Sequence, residues 1–210
     1  MGQAADSERD RSRAEHPTKT KITQAAVGLL ETRDVTDLTV DEVLAVAGVT
    51  KGAMYHHFDD YAEVLETAMV ARFSAGVDWS IAMLELAFEA PVRDADFLAQ
   101  ISRITRLTHA PERAPVRLER ARTLALAQHH PRLRRVLAVE QQRLTDTFTE
   151  LFVRAQSRGL INPHVDPHAA AVFVQAFTLG RVVDDISERP VDPEAWFHII
   201  DSTVERAFGV

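Results

Sequence analysis

The sequence contains no cysteine among its 210 residues, which excludes disulfides, a thiol redox pair and a thiolate metal site. A long apolar run is also missing, since the longest, residues 169–183, includes Gln175, Thr178 and Arg181. A membrane-spanning helix needs about 20 mostly apolar residues. The first 17 residues lack the apolar core of a signal peptide. These absences predict a cytoplasmic protein with no membrane partner.

An excess of positive charge is absent as well. The chain carries 24 Lys and Arg against 31 Asp and Glu, a net charge of −7. Residues 1–61 hold 7 basic and 11 acidic side chains, and the remainder holds 17 and 20. This balance argues against a protein that coats nucleic acid by bulk charge, so any contact with DNA must be local.

Glycine and proline are scarce, with 8 and 9 residues, and they fall between segments of helical periodicity. Almost no run alternates as a strand would, so the sequence predicts an all-α fold of about nine helices. The predicted helices span residues 18–33, 40–47, 50–57, 61–90, 94–109, 115–129, 131–158, 167–187 and 193–208. The first three form a small N-terminal unit, and the rest form a larger helical bundle.

The stretch TVDEVLAVAGVTKGAMYHHF, residues 39–58, contains two short helices and a tight turn. Thr39 and Glu42 form a capping box, Gly48 ends the first helix and Thr50 caps the second. At roughly 100° per residue, one half of the second helix is predicted to pack and the other to face outward. The packed half contains Ala53, Met54, His57 and Phe58, expected to meet Ile22, Leu29, Val43 and Val46, and the outward half contains Lys51, Gly52, Tyr55 and His56.

The pattern is that of a helix-turn-helix, whose second helix can enter the major groove of DNA. Lys51 can donate to guanine or phosphate, Tyr55 can contact a thymine methyl, and His56 can donate to phosphate. Gly52 lets the backbone approach the duplex. The alternative is that these residues form an ordinary solvated surface on a capped three-helix unit.

Residues 39–58 resemble the DNA-binding signature of the tetracycline-repressor (TetR) family of bacterial transcriptional regulators, and the resemblance extends over residues 18–65. It implies phosphate contacts from Thr39, His56 and His57. It also implies base or groove contacts from Lys51, Gly52 and Tyr55. The expected DNA-binding set is Thr39, Thr50, Lys51, Gly52, Tyr55, His56, His57 and Tyr61. The expected domains are a disordered tail (1–17), a helix-turn-helix DNA-binding domain (18–61) and a ligand-binding and dimerisation domain (62–210).

Three positions depart from the family pattern. The family usually has lysine three residues after Phe58, where this chain has Tyr61 preceded by two aspartates. It often has arginine at the position of Asp41, and it usually has glycine at the position of Asp34, where the first helix ends. Carboxylates near the DNA backbone oppose binding, so these departures concern the target sequence more than the binding mode.

Residues 168–183 are apolar almost all round, so this helix needs cover on two sides. The final helix adds a second apolar stripe, and the two helices with a two-fold mate would make a four-helix interface. The family resemblance favours this homodimer, while burial within a monomer is the alternative. The expected interface residues are Phe173, Ala176, Phe177, Gly180, Trp196, Ile200 and Val204.

The resemblance also implies a small-molecule effector pocket in the larger bundle. Candidate lining residues are Trp79, Met83, Phe97, Arg106, His109, Gln128, Phe148 and Phe152, although such aromatic sets are usually plain core. Residues 103–135 hold nine arginines and two glutamates, which would suit either an anionic ligand or a solvated basic surface.

Two other function classes compete with a transcription factor. For an enzyme, we find no glycine-rich phosphate loop and no nucleophile elbow, and Pro167 separates His164 from His168. We therefore expect no catalytic site, no metal and no cofactor. A helical ligand-binding or adaptor protein that no longer binds DNA is the alternative. The sequence predicts a homodimeric, ligand-responsive repressor released from a palindromic double-stranded DNA operator by a small-molecule effector.

Overall fold

The computed structural model describes residues 16–89 and 97–209, and all regular secondary structure in these ranges is helical. The predicted all-α fold is confirmed. We number nine α-helices within the described ranges: α1 Pro17–Leu29, α2 Val40–Ala47, α3 Lys51–His57, α4 Tyr61–Glu89, α5 Phe97–His109, α6 Ala114–Leu126, α7 Pro131–Ser157, α8 Pro167–Gly180 and α9 Pro193–Phe208. Short 3-10 segments span Val35–Asp37 and Pro111–Arg113, and a single helical turn spans Val182–Asp185.

The chain divides into two compact units, Met1–Ala75 and Gly76–Val210, with the boundary inside α4. The division by role at residue 61 stays a prediction. Most of the predicted tail, and the predicted helix ends at residues 90 and 94, lie outside the described residues. His16, within the predicted tail, instead caps α1, where its Nδ1 accepts from the Thr18 amide at 3.3 Å.

The core of the first unit is built by the helices that flank the tight turn. Ile22, Val43, Met54 and Phe58 are completely buried, as the helical wheel predicts. The expected burial of Val46 is wrong, because this side chain is 61% exposed and Leu44 is buried in its place. Helix α2 is apolar on more than one side, so its periodicity alone does not select the buried residue.

Helix α1 ends earlier than the sequence predicts. Its last residue is Leu29, and Leu30 is the C-cap residue. A carbonyl at a helix end has no partner within the helix and needs a donor from elsewhere. The guanidinium of Arg72, on α4, donates to the Leu30 carbonyl. A side chain 42 residues away therefore stabilises this end of the helix.

The second unit is a helical bundle in which α7 packs on α8 and α9 packs on α5. Its main apolar cluster comprises Leu84, Phe97, Ile101, Leu151, Phe152, Ala155, Leu160, Ile161, Ala170, Ala171, Val174, Ile200, Val204 and Phe208. The helix predicted over residues 167–187 is interrupted after Gly180 and followed by the single turn Val182–Asp185. Within the described ranges, no helix is both long enough and apolar enough to cross a membrane.

Candidate nucleic-acid interface and effector region

The turn between α2 and α3 has the geometry of a helix-turn-helix. Gly48 has a left-handed backbone with φ of 66°, a conformation that glycine adopts without steric cost. The Val49 amide donates back to the Leu44 carbonyl at 3.1 Å. The Thr50 hydroxyl then accepts from the Ala53 amide at 3.2 Å and begins α3. Local turn chemistry thus fixes where α3 starts.

The outward side of α3 is accessible along its length. Lys51, Gly52, Tyr55 and His56 are all exposed, and we call these four residues the recognition face. Tyr55 is 58% exposed, so its aromatic ring is accessible to a partner. An ammonium group, an aromatic ring, an imidazole and a backbone without Cβ therefore lie together on one side of a short helix.

An ion pair crosses from α2 to the recognition face. The Lys51 ammonium lies 2.8 Å from Asp41 Oδ1, and the two side chains are 55% and 76% exposed. Hydrogen bonding to Asp41 raises the pKa of Lys51 above its ordinary value. Asp41 stands where the family often has arginine, so a carboxylate here competes with any DNA group that Lys51 could bind.

Thr39 caps α2 and also lies on the surface. Its hydroxyl accepts from the Glu42 amide, and its own backbone amide donates to Glu42 Oε2 at 3.1 Å, which completes the predicted capping box. Glu42 is held in turn by Arg33 at 2.9 Å. The Arg33 hydrogen bond, aided by Thr39, lowers the pKa of Glu42 to about 2. The start of α2 is therefore stabilised by contacts within the protein itself.

Two of the expected DNA contacts are not at the surface. His57 is only 7% exposed, and its ring lies 4.3 Å from the ring of His16. The hydroxyl of Tyr61 is buried and has no hydrogen-bond partner among the described residues, and burial raises its pKa. We therefore correct both expectations, because these side chains pack within the first unit in this conformation.

Three of the expected effector residues are part of the apolar core of the second unit. Phe97, Phe148 and Phe152 belong to or pack on the main apolar cluster, as the plain-core alternative states. Gln128 is exposed, two residues after the end of α6, and its place in a pocket wall stays a prediction. Trp79 and Met83 are half-buried, and the Arg113 guanidinium lies 3.8 Å from the centre of the Trp79 ring.

Arg106 is held on the surface by α9. Its guanidinium donates to Glu194 at 3.2 Å and to Asp201 at 3.2 Å. It also lies 4.5 Å from the centre of the Phe197 ring. Its observed partners are therefore protein carboxylates and an aromatic ring, which is a structural role between α5 and α9.

His109 belongs to a buried polar group that the sequence only partly predicts. We call this the His109 cluster, and its members are His109, Arg117, Arg181, Asp184, Asp185 and Trp196. Trp196 Nε1 donates to His109 Nδ1 at 2.8 Å. Arg117 donates to both oxygens of Asp185, at 2.6 and 2.8 Å, and each of these two side chains is 5% exposed.

The partner of Asp185 differs from the one that spacing suggests. Arg181 and Asp185 are four residues apart and would pair on a helix surface. Instead, Arg181 pairs with Asp184, and Asp185 pairs with Arg117, 68 residues away. The backbone from Arg181 to Asp185 still makes a helical turn, with the Asp185 amide donating to the Arg181 carbonyl at 3.1 Å, so Arg117 rather than a loss of helix accounts for the change of partner. No neighbouring residue in the sequence indicates that Arg117 and Asp184 form ion pairs in this cluster.

A face of apolar and small side chains on α8 and α9 is exposed. Phe173, Ala176 and Gly180 are exposed as the dimer prediction requires, and Val172, which was not predicted, is 47% exposed. Phe177 and Trp196 are half-buried.

On α9 two of the expected dimer residues are wrong, because the exposed side of the helix lies next to the side that was predicted. Ile200 and Val204 are buried in the unit's own core, at 7% and 4% exposure, while Ile199 is 58% exposed. The helix carries apolar residues on adjacent sides, and its periodicity does not show which side the core takes. Phe173, Ala176, Gly180, Val172 and Ile199 are named the α8–α9 face below.

Two family models match this chain. Residues 22–68 match the model described as bacterial regulatory proteins, tetR family, and residues 112–209 match the model described as BetI-type transcriptional repressor, C-terminal. The chain belongs to the TetR family of transcriptional regulators. The first match includes α2 and α3, and the second includes α6 to α9.

Individual relatives agree with this TetR-family assignment. The regulators SrpR and TtgW of Pseudomonas putida are each 38% identical over 55 residues. These alignments cover 26% of this chain but only 26% and 41% of those proteins. The sequence similarity is therefore confined to a short segment.

Solved structures share the fold over nearly the whole chain. A TetR-family regulator from Mesorhizobium loti has a TM-score of 0.67 and 20% identity, with 92% of this chain and 97% of that chain covered. A regulator from Saccharomonospora viridis in complex with choline has a TM-score of 0.66 and 12% identity, covering 90% and 96%. At these identities the likeness shows the fold alone.

His109 gives this TetR-family chain a specific pH dependence. Burial first, and then the neighbouring Arg117 and Arg181, lower the pKa of His109 to about 4 from an ordinary value of 6.5. Between these values the unfolded chain binds a proton that the folded chain does not. Stability should therefore fall as pH falls from 6.5 to about 4, by roughly 3 kcal/mol in full.

Urea unfolding at several pH values between 7.5 and 5 measures this contribution. His109→Asn keeps an acceptor for Trp196 Nε1 but has no titrating ring, so its stability should fall less steeply over that range. The exposed residue His129 provides the control, because His129→Asn should follow the parent slope. Identical slopes for the parent and His109→Asn would contradict the assignment.

Proposed function

We propose that the chain is a homodimeric repressor that binds a palindromic operator and is released from it by a small-molecule effector. The observation that carries this proposal is the recognition face of α3, exposed and oriented by a helix-turn-helix. Lys51, Gly52 and Tyr55 contact base edges and the groove wall, and His56 and Thr39 contact phosphate. Thr50 acts first as a cap. His57 and Tyr61 are left out because the His57 side chain and the Tyr61 hydroxyl are buried.

The α8–α9 face supports the proposed homodimer. Large exposed apolar side chains such as Phe173 and Ile199 are costly in water, and Ala176 and Gly180 allow two helices to approach closely. A two-fold dimer presents two α3 helices to two half-sites of opposite orientation, about one helical turn of DNA apart. Dimerisation thus supplies the affinity that one seven-residue helix lacks.

The effector acts, in this proposal, by changing the spacing of the two α3 helices. We assign the coupling to α4, because this helix contributes residues to both compact units. An effector that binds the released conformation more tightly shifts the population toward it. Moving an equilibrium from 1:99 to 99:1 requires a preference of about 10⁴-fold.

The adaptor alternative keeps one argument in its favour. The acidic composition and the Asp41–Lys51 ion pair both reduce attraction for DNA. Under that alternative the second unit binds a ligand or protein and the first unit has no DNA partner. The next experiment separates the two functions.

Selection of bound duplexes from a random pool tests the DNA function. The purified full chain should enrich a palindromic motif, and its affinity should fall steeply as salt rises. Lys51→Ala should bind the selected duplex about tenfold or more weakly, because it loses a base-edge contact. The matched control is Lys21→Ala, at an exposed position on α1, which should bind as the parent does. No enrichment by the folded parent chain, or equal losses in both variants, would favour the adaptor.

Removal of the carboxylate at position 41 tests the ion pair. Asp41→Asn keeps the size of the side chain and releases Lys51, so binding to a random-sequence duplex should become roughly threefold to fivefold tighter at low salt. Fluorescence anisotropy with a labelled duplex measures the change. Glu31→Gln, an exposed charge change outside α2 and α3, is the control. An unchanged or weaker affinity for Asp41→Asn would show that the pair does not restrain DNA binding.

Charge introduced into the α8–α9 face tests the homodimer. Phe173→Glu places a carboxylate where two apolar surfaces meet, so the dimer should dissociate at least roughly tenfold more readily. Sedimentation equilibrium measures this change. Val139→Glu is the control, because Val139 is 67% exposed on α7 and is not a residue of the α8–α9 face. A parent chain that is monomeric at micromolar concentration, or a Phe173→Glu variant that dimerises as the parent does, would contradict the proposal.

A further inference from the structure

The His109 cluster contains two hydrogen-bond donors that its own acceptors do not satisfy. Nε2 of His109 and Nε of Arg181 are both buried and have no hydrogen-bond partner among the described residues. The two side chains are 2% and 8% exposed. Buried donors are nearly always paired with a protein group, a water or a ligand, so two such groups in one cluster call for acceptors from outside the chain.

The hydrogen bond from Trp196 determines which nitrogen of His109 carries the proton. Its Nδ1 accepts from Trp196 Nε1 at 2.8 Å, so Nδ1 has a lone pair and the proton of the neutral ring lies on Nε2. Burial lowers the pKa of His109 to about 4, so the ring is neutral near pH 7. Nε2 is therefore an uncharged donor. Arg181 pairs with Asp184 through Nη1, which leaves its Nε–H as the second donor.

Aromatic rings surround both donors. The His109 ring stacks on Trp196 with centroids 5.9 Å apart, and it meets Phe177 at 5.5 Å and Phe197 at 6.5 Å. The Arg181 guanidinium lies 5.2 Å from the centre of the same Trp196 ring. Both donors therefore lie against one indole, in surroundings that favour an apolar molecule.

The formal charges within the cluster are balanced. Arg117 is neutralised by Asp185 and Arg181 by Asp184, while His109 is neutral. An anionic ligand would add a buried negative charge without a counterion, and a cation would meet two guanidinium groups. Both carboxylates already accept hydrogen bonds from protein donors, including the Val191 amide at Asp184. A neutral acceptor oxygen can accept a hydrogen bond from either donor without disturbing this balance.

We propose that the His109 cluster is the polar end of the effector site and binds the acceptor oxygen of a neutral molecule with an apolar body, such as a ketone, lactone or ester. This inference deepens the proposed function and rests on it for the regulatory role of the ligand. It also selects against an anionic ligand at this cluster, because Arg117, from the arginine-rich segment, and Arg181 are already paired with aspartates.

Three probes with the same six-membered ring test the ligand class. Cyclohexanone presents a neutral acceptor, cyclohexanecarboxylate an anion and cyclohexylammonium a cation. Binding to the full chain is followed by the fluorescence of Trp196 in a Trp79→Phe background, since these are the two tryptophans of the sequence. Cyclohexanone should bind at least fivefold more tightly than either charged probe. Equal binding of all three, or tightest binding of a charged probe, would overturn the proposal.

Two conservative variants test the donors in the same background. His109→Asn retains the acceptor for Trp196 but removes the Nε2 donor, and Arg181→Lys retains the positive charge beside Asp184 but removes Nε–H. Each should weaken cyclohexanone binding at least fivefold, whereas the exposed His129→Asn control should not. If both variants remain folded by circular dichroism and bind cyclohexanone as the parent does, the donors do not hold the ligand.

The result separates this inference from the proposed function, because no DNA is present. Binding that follows the predicted order and is lost in both variants supports the site, even for a chain that selects no operator. A chain that selects an operator but shows no preference for cyclohexanone keeps its DNA function and lacks this effector site.

Discussion

Burial of Met54 and Phe58 is the interaction on which the proposed recognition face depends. A helix of seven residues is too short to be stable alone in water, so α3 persists only because its inner side is packed. Both side chains are completely buried, and this fixes the rotation of α3 about its axis. Lys51 and Tyr55, on the opposite side of α3, are therefore exposed. The turn at Gly48 and the cap at Thr50 determine where α3 begins, and packing against the core determines which side of α3 is exposed.

Charge limits what this face can do. The chain is acidic, so long-range attraction to DNA is weak, and the local cation Lys51 is paired with Asp41. DNA binding therefore has to be stabilised by close contacts, in which Lys51 exchanges Asp41 for a group on the DNA. Such a protein would discriminate strongly between a matching duplex and other DNA, because non-specific attraction contributes little. Cations are paired with carboxylates in the second unit too. The arginines of the His109 cluster are bound to aspartates, and two donors of the cluster have no acceptor among the described residues.

Features decided by neighbouring residues could be predicted from the sequence. The capping box of Thr39 and Glu42, the left-handed Gly48 and the cap at Thr50 depend on residues within a few positions, and the all-α fold follows from periodicity. Features decided by distant residues could not. The partner of Asp185 is Arg117, 68 residues away, and no spacing rule indicates it. The buried side of α9 depended on which of two adjacent apolar stripes met the core, so Ile200 was assigned outward and Ile199 was missed.

Photo-crosslinking from position 55 tests the central claim most directly. A benzophenone amino acid replaces Tyr55 on the recognition face, or Leu86, which is 70% exposed on α4, as the control. Each protein is irradiated with a labelled duplex at low and high salt. We expect a crosslink from position 55 that maps to repeated positions in the major groove and disappears with Lys51→Ala, and little crosslinking from position 86. Equal crosslinking from both positions, or none from position 55 while the protein binds DNA, would contradict this expectation.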